Sequence, residues 1–81
     1  MKKERDFGKV LREIVKAAPE LKDLESKAIF WAPEILWYNL SVHVNERIEP
    51  DSSNPKAVKV YSILCGCSEE EMKKRFKENG H

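Results

Sequence analysis

The sequence predicts an all-α fold, a small orthogonal bundle of four to five short helices, and three observations lead to this prediction. Apolar residues recur in steps of three and four along most of the chain, which is the spacing of one helix face. Prolines stand where helices would begin, and polar residues that can cap a helix precede several apolar segments. Because 81 residues suffice for only one core, we expect a single helical domain over residues 1–81.

The first two helices are predicted from apolar stripes on either side of Pro19. Apolar side chains at helical spacing run from Phe7 to Ala18, and Asp6 is in position to cap this helix. Pro19 ends it, because the residue before a proline is pushed away from helical backbone angles. Pro19 also suits the first turn of a second helix. The inner face of that second helix would carry Leu21, Leu24, Ala28 and Trp31.

The segment after Pro33 is compatible with two structures. As a helix it places Leu36, Leu40, Val44 and Ile48 on one face in steps of four. As a strand it alternates apolar and polar residues, and residues 35–48 could then pair with residues 57–65 as a hairpin in an α+β fold. The helix is favoured because Pro33 and Glu34 are typical of a helix start and the segment has the length of a helix.

Turn-forming residues fill the loop 49–55, and two further helices are predicted after it. Ser53 or Asn54 would cap the first of these, and Gly66 would end it. Its apolar face would contain Ala57, Val58, Tyr61, Leu64 and Cys65. Ser68 would cap the last helix, with Glu71 completing a capping box and with Met72 and Phe76 facing inward.

The helix pair at residues 57–78 has small and apolar residues where two helices would cross and turn. Ser62 is small where the two helices would cross, Gly66 and Cys67 occupy the turn, and Met72 is an inward anchor. This pattern resembles the helix-turn-helix unit of DNA-binding regulators, although any tight helix pair shares these features. The resemblance implies that the second helix enters the major groove with its N-terminus. The three carboxylates of residues 69–71 stand there, and they would repel DNA phosphates.

The charge balance gives no general attraction to nucleic acid or membrane. The 15 Lys and Arg residues face 14 Asp and Glu residues, for a formal net charge of +1. No apolar run approaches the ~18 residues that a membrane span needs, and the first residues lack the apolar core of a signal peptide. We therefore expect no membrane contact and a cytoplasmic location.

Few residues suggest metal or catalytic chemistry. Cys65 and Cys67, together with His43 and His81, form the one set of residues that could suggest a metal site. Structural zinc requires four ligands, usually two pairs at matched spacing, and this set does not have that spacing. No catalytic motif is present either, so the sequence predicts no metal, no cofactor and no enzymatic activity.

Aromatic and basic residues are the remaining candidates for function. Two tryptophans are many for so small a core, so either both complete the core or one of them, Trp37 rather than Trp31, is partly exposed as an anchor for a partner, since interfaces favour Trp, Tyr and Arg. The sequence thus predicts a small non-enzymatic protein-binding module or inhibitor, with a protein partner. A DNA-binding regulator acting through residues 57–78 is the alternative, so nucleic acid is possible but not favoured. The predicted partner-binding residues are Trp37, Trp31, Tyr38, Lys73, Lys74, Arg75 and Lys77.

Overall fold

A computed structural model describes residues 5–80, and over these residues the fold is all-helical, with no strand. The prediction of an all-α protein is confirmed. Three short 3-10 turns lie between the first and third α-helices, at Pro19–Leu21, Ala28–Phe30 and Pro33–Ile35. The α-helices of the described residues span Phe7–Ala17 (α1), Asp23–Lys27 (α2), Leu36–Arg47 (α3), Pro55–Cys65 (α4) and Glu69–Glu78 (α5).

Helix α1 begins and ends at the predicted residues. The Asp6 carboxylate accepts a hydrogen bond from the backbone N–H of Lys9 at 3.3 Å, which satisfies one of the free amides of the first turn. Ala18, with ψ of 84°, leaves helical geometry directly before Pro19. The buried face of α1 consists of Val10, Leu11 and Ile14.

The prediction of one continuous second helix is wrong. Leu21, Leu24 and Ala28 are buried as predicted, but they belong to three successive short elements. Trp31 lies beyond them in an extended conformation, with φ of −82° and ψ of 139°. None of these elements approaches the ~12–15 residues that an isolated helix needs, so packing of the three buried side chains holds the segment in place.

Residues 36–47 form a helix, so the hairpin alternative is wrong. Leu40 and Val44 are fully buried and Ile48 nearly so, which follows the predicted steps of four. This face packs into the core as a continuous ridge, whereas a strand would have turned every second residue inward. Pro33 opens a 3-10 turn that leads directly into α3 rather than opening the α-helix itself.

Helix α4 lies at the centre of the core, with α1 and α5 packed against it. Asn54, rather than Ser53, caps it by accepting hydrogen bonds from the backbone N–H groups of Lys56 and Ala57. Cys65 was predicted on the apolar face but is exposed, since it is the last residue of the helix, where the chain leaves the core. The buried residues of α4 cover more than one face: Ala57, Val58, Val60, Tyr61, Ser62 and Leu64.

The turn between α4 and α5 follows the predicted pattern. Gly66 adopts a left-handed conformation with φ of 74°, and its N–H donates to the carbonyl of Ser62 at 2.8 Å. Ser68 Oγ accepts from the backbone N–H of Glu71 at 3.1 Å. The Glu71 carboxylate does not complete a capping box, because it accepts from Arg75 Nε at 3.3 Å instead. The inner face of α5 buries Met72 and Phe76 as predicted.

Arg5 closes the C-terminal end of α4. Its guanidinium donates to the carbonyl oxygen of Leu64 at 2.7 Å and to that of Ile63. A Cβ atom placed on Gly66 would lie 3.1 Å from this guanidinium. Position 66 is therefore constrained twice, by its positive φ and by the side chain above it.

Alanine substitution is expected to have opposite effects on the free energy of unfolding at Gly66 and at Gly8. Gly66→Ala should lower the free energy of unfolding by about 1–2 kcal/mol, because it forces a left-handed alanine. Gly8→Ala should raise it by at most about 1 kcal/mol, since Gly8 is the second residue of α1 and its Cβ would make only ordinary contacts, the nearest at 3.6 Å. Urea denaturation of both variants measures the difference. A Gly66→Ala variant as stable as wild type would contradict the strain at the turn.

Ion pairs fix the segment that contains α2 against its neighbours. The Arg47 guanidinium of α3 forms a bidentate ion pair with the Asp23 carboxylate, with N–O distances of 2.5 and 2.7 Å. This contact, supplemented by Lys27, holds the pKa of Asp23 well below its usual range. Lys56 Nζ of α4 lies 2.7 Å from Glu20 Oε2. The position of residues 19–27 is thus set from both α3 and α4.

Candidate protein-binding surface

Large hydrophobic side chains are exposed in one segment of the chain, residues 29–38. Ile29 is 76% exposed, Phe30 84%, Ile35 42% and Tyr38 69%, and among residues 5–80 no other large hydrophobic side chain is exposed. Single exposed apolar residues are common on protein surfaces, but concentration in one segment is typical of interaction sites.

The local backbone explains why these side chains point outward. A 3-10 turn has three residues per turn, so when Ala28 is buried the next two, Ile29 and Phe30, face other directions. In α3, Tyr38 lies two positions before the buried Leu40 and therefore on the opposite side of the helix. The exposure is a consequence of how the segment is anchored, with the buried residues fixing the direction of the exposed ones.

A groove borders this segment on the side of α1, and we call it the α1–α2 groove. It has a volume of about 410 Å³. Arg12 of α1 and Glu25 of α2 provide its charged walls. Because Ile29 and Leu36 belong both to this groove and to residues 29–38, the apolar surface continues from one into the other. The apolar lining consists of Phe7, Leu11, Ala28, Ile29 and Leu36.

Both tryptophans of the predicted site are half-buried and pack against other aromatic rings. The Trp31 ring stacks parallel to the ring of His43, with centroids 5.3 Å apart. The Trp37 ring contacts Phe7 edge to face at 5.2 Å, and the Arg5 guanidinium lies 5.2 Å from its centroid. The structure therefore uses both rings to complete the edge of the core. Tyr38, which is exposed, is the aromatic residue of the predicted set that solvent reaches most.

The basic residues of the predicted site all lie on α5 and are exposed: Lys73, Lys74, Arg75 and Lys77. Arg75 is engaged with Glu71, as described above. Helix α5 packs against α4, whereas the tryptophans pack with residues of α1 and α3. The contacts of the described residues do not join the aromatic and basic halves of the predicted surface into one site.

Sequence reasoning missed Ile29, Phe30 and Ile35. A signal was present for the first two, since the stripe formed by Leu21, Leu24 and Ala28 leaves the next two positions off the inner face. For Ile35 no such signal existed, because it precedes α3 at a position whose direction depends on the preceding 3-10 turn.

The helix pair α4–α5 has the local geometry that its pattern predicts. Ser62 is buried and donates to the carbonyl of Lys59 at 2.7 Å, and Met72 is also buried. The carboxylate-bearing residues 69–71 are exposed in the first turn of α5. Glu69 also lines a shallow groove of about 480 Å³, whose other charged lining residues are Glu13, Lys16 and Lys59. Negative charge therefore lies where a recognition helix would approach phosphates.

Within residues 5–80, the residues considered for a metal site are not assembled into one. Both thiols are free, with Cys65 exposed and Cys67 half-buried, and His43 stacks on Trp31 with its Nδ1 3.5 Å from Glu46 Oε1. His81 lies outside the described residues. Within residues 5–80 no group of three or more His, Cys, Asp or Glu side chains is placed to hold a metal ion.

Comparison with protein families, curated proteins and solved structures finds no match to this chain. Among the described residues, no helix is both long and apolar enough to cross a membrane.

Proposed function

We propose that this chain is a small, non-enzymatic protein-binding module whose partner packs against residues 29–38. The observation that carries the proposal is that the exposed large hydrophobic side chains of the described residues all belong to this segment. Burying one such side chain contributes about 1.5–3 kcal/mol, so covering the segment contributes favourably to association. The ion pairs of Asp23 and Glu20 support the proposal, because they hold the adjoining segment in a defined position.

A second candidate function is DNA binding through residues 57–78. The three-residue turn with its left-handed Gly66, together with buried Ser62 and Met72, favours it. The exposed carboxylates of residues 69–71 oppose it, and for that reason we place it second.

The proposal predicts that Phe30→Ser combined with Tyr38→Ser abolishes partner binding without unfolding the protein. Both side chains are exposed, so stability should change by less than about 0.5 kcal/mol per substitution. Each lost aromatic anchor should weaken binding about tenfold or more. Proteins captured from cell extract by immobilised wild type and by the double variant are compared quantitatively. The partner is then purified, and its Kd for each form is measured by calorimetry.

Control measurements make the test specific. Circular dichroism and urea denaturation establish that the double variant is folded. Sedimentation of the wild type over a range of concentrations shows whether the partner is a second copy of the chain. A partner that binds wild type and the double variant with equal Kd would refute the proposed surface.

A further inference from the structure

The exposed apolar segment alone is too small to account for tight binding. Its few side chains contribute a gross free energy of the same order as the ~4–15 kcal/mol that association costs. A partner that binds specifically must therefore gain additional contacts beside residues 29–38. The α1–α2 groove is the adjoining apolar surface, since Ile29 and Leu36 belong to both.

A ridge of three positive charges runs along α1 beside this groove. Lys9, Arg12 and Lys16 are all exposed, and their spacing places them on one side of the helix, where they line a shallow depression together with Glu13. None of the ion pairs formed within residues 5–80 involves any of the three. Arg12 also lines the groove itself. We call this feature the α1 basic ridge.

We propose that the α1–α2 groove binds an amphipathic helix of a partner protein, with acidic residues of that helix facing the α1 basic ridge. The inference rests on the proposed protein-binding function and names the chemistry of the partner. An apolar groove flanked by unpaired cations is complementary to a helix whose apolar face is flanked by carboxylates. A strand is a poorer fit, because residues 5–80 contain no sheet edge to which it could add.

The dimensions of the ridge set the spacing of the partner's charges. Lys9 and Lys16 are seven positions apart on α1, which corresponds to about 10 Å along the helix axis. Carboxylates at positions i, i+3 or i+4, and i+7 of the partner helix would span the same length. Glu25 on the opposite wall disfavours a second acidic flank, so the bound helix is acidic on one side only.

Synthetic peptides provide the test. One peptide of about 18 residues carries leucines at helical spacing and glutamates along one flank, and its length exceeds the ~12–15 residues that an isolated helix needs. A second peptide is identical except that lysines replace the glutamates. Fluorescence anisotropy of the labelled peptides measures Kd. Wild type is expected to bind the glutamate peptide at least tenfold more tightly than the lysine peptide. Equal affinity for the two peptides would overturn the proposal.

Charge reversal on the ridge should reverse this preference. A triple variant with Lys9→Glu, Arg12→Glu and Lys16→Glu is expected to lose at least tenfold in affinity for the glutamate peptide and to bind the lysine peptide better. Ile29→Ser removes an apolar wall of the groove and should weaken both peptides severalfold. Glutamate-peptide binding that the triple variant leaves unchanged would contradict the assigned role of the ridge.

The same charge change on α5 serves as the matched control. A variant with Lys73→Glu, Lys74→Glu and Lys77→Glu should bind the glutamate peptide within about twofold of wild type, since no lining residue of the groove belongs to α5. If this variant loses peptide binding and the α1 variant does not, the acidic helix binds at α5 and the proposal is wrong.

Nucleic acid is the other ligand that a basic ridge can attract. A labelled random-sequence duplex is titrated at about 50 and about 200 mM salt, where a tenfold or greater loss of affinity indicates several phosphate contacts. Salt-dependent duplex binding that the α1 triple variant abolishes would assign the ridge to phosphates and overturn the proposal. Loss of duplex binding in the α5 variant alone would instead support the helix-turn-helix candidate.

The two proposals fail in different ways. If partner binding depends on Phe30 and Tyr38 but the glutamate peptide does not bind, only the proposal of an acidic partner helix is overturned. If substitution of those two residues leaves partner binding unchanged and the peptide does not bind either, the proposed protein-binding surface itself is refuted.

Discussion

Leu24→Ala is expected to lower the free energy of unfolding by about 2–5 kcal/mol, a large part of the ~4–12 kcal/mol expected for a chain of this length. Leu24 is fully buried, and the substitution leaves a cavity as well as removing apolar contact. The element that contains it, α2, is only five residues long and depends on this contact for its structure. Urea denaturation followed by tryptophan fluorescence measures the loss.

Local unfolding of the segment around α2 should accompany the loss of global stability in Leu24→Ala. Hydrogen exchange in Leu24→Ala is expected to rise more for residues 19–30 than for α3 or α4, because these short helical pieces depend mainly on their few buried side chains for stability. Leu24→Met conserves volume and should cost less than about 1.5 kcal/mol. Leu40→Ala provides the comparison in a long helix, where exchange should rise evenly. An even rise in Leu24→Ala as well would show that the segment does not depend on its own anchor.

Tyr61→Phe is expected to cost about 1–3 kcal/mol, because it leaves a buried carbonyl without its donor. The Tyr61 hydroxyl, on a residue that is 7% exposed, donates to the backbone carbonyl of Ile48 at 2.7 Å and lies 2.5 Å from Asn45 Oδ1. The bond joins α4 to the end of α3. Urea denaturation at neutral pH measures the cost, and Leu64→Met serves as a volume-conserving control on the same helix.

The stability difference between wild type and Tyr61→Phe should also depend on pH. Burial raises the pKa of Tyr61 to about 12, above the ~10 of an unfolded chain. The native state therefore keeps the phenolic proton, and the resulting stability is complete below pH ~10 and is lost as the pH rises toward 12. We expect the difference to shrink by roughly 2–3 kcal/mol over this range.

Lysine titration affects wild type and Tyr61→Phe alike and cancels in this comparison. Absorbance titration in a Tyr38→Phe background follows the phenol of Tyr61 alone. A difference in stability that stays constant from pH 9 to pH 12 would contradict the raised pKa.

Helix ends were predictable because the signals that set them are local. Asp6, Ser68 and Gly66 act within three or four residues of their own position, so the sequence contains all the information that their geometry requires. The division of the second helix into three short elements, and the extended backbone of Trp31 after them, were not predictable in this way. Trp31 leaves helical geometry where it stacks on His43, and that neighbour becomes known only when α3 is in place.

The candidate surface was predictable only in part. The aromatic composition of the segment points to Tyr38 as a partner-binding residue, and the predicted apolar face with Leu36 and Leu40 places Tyr38 on the outer side of the helix. The exposure of Trp37 depends on whether another ring covers it. Phe7, thirty positions earlier in the sequence, packs against it with ring centroids 5.2 Å apart. A contact between residues this far apart has no periodic signature.

The packing of α1 against α4 has a consequence for synthesis. Helix α1 buries its apolar face against α4, but the intervening helices are translated first. At about 5–20 residues per second, α4 follows α1 from the ribosome after about two to eight seconds. During that interval Val10, Leu11 and Ile14 lack the cover that α4 provides in the folded protein. The nascent chain thus exposes an apolar helix face for as long as α4 has not yet been synthesised.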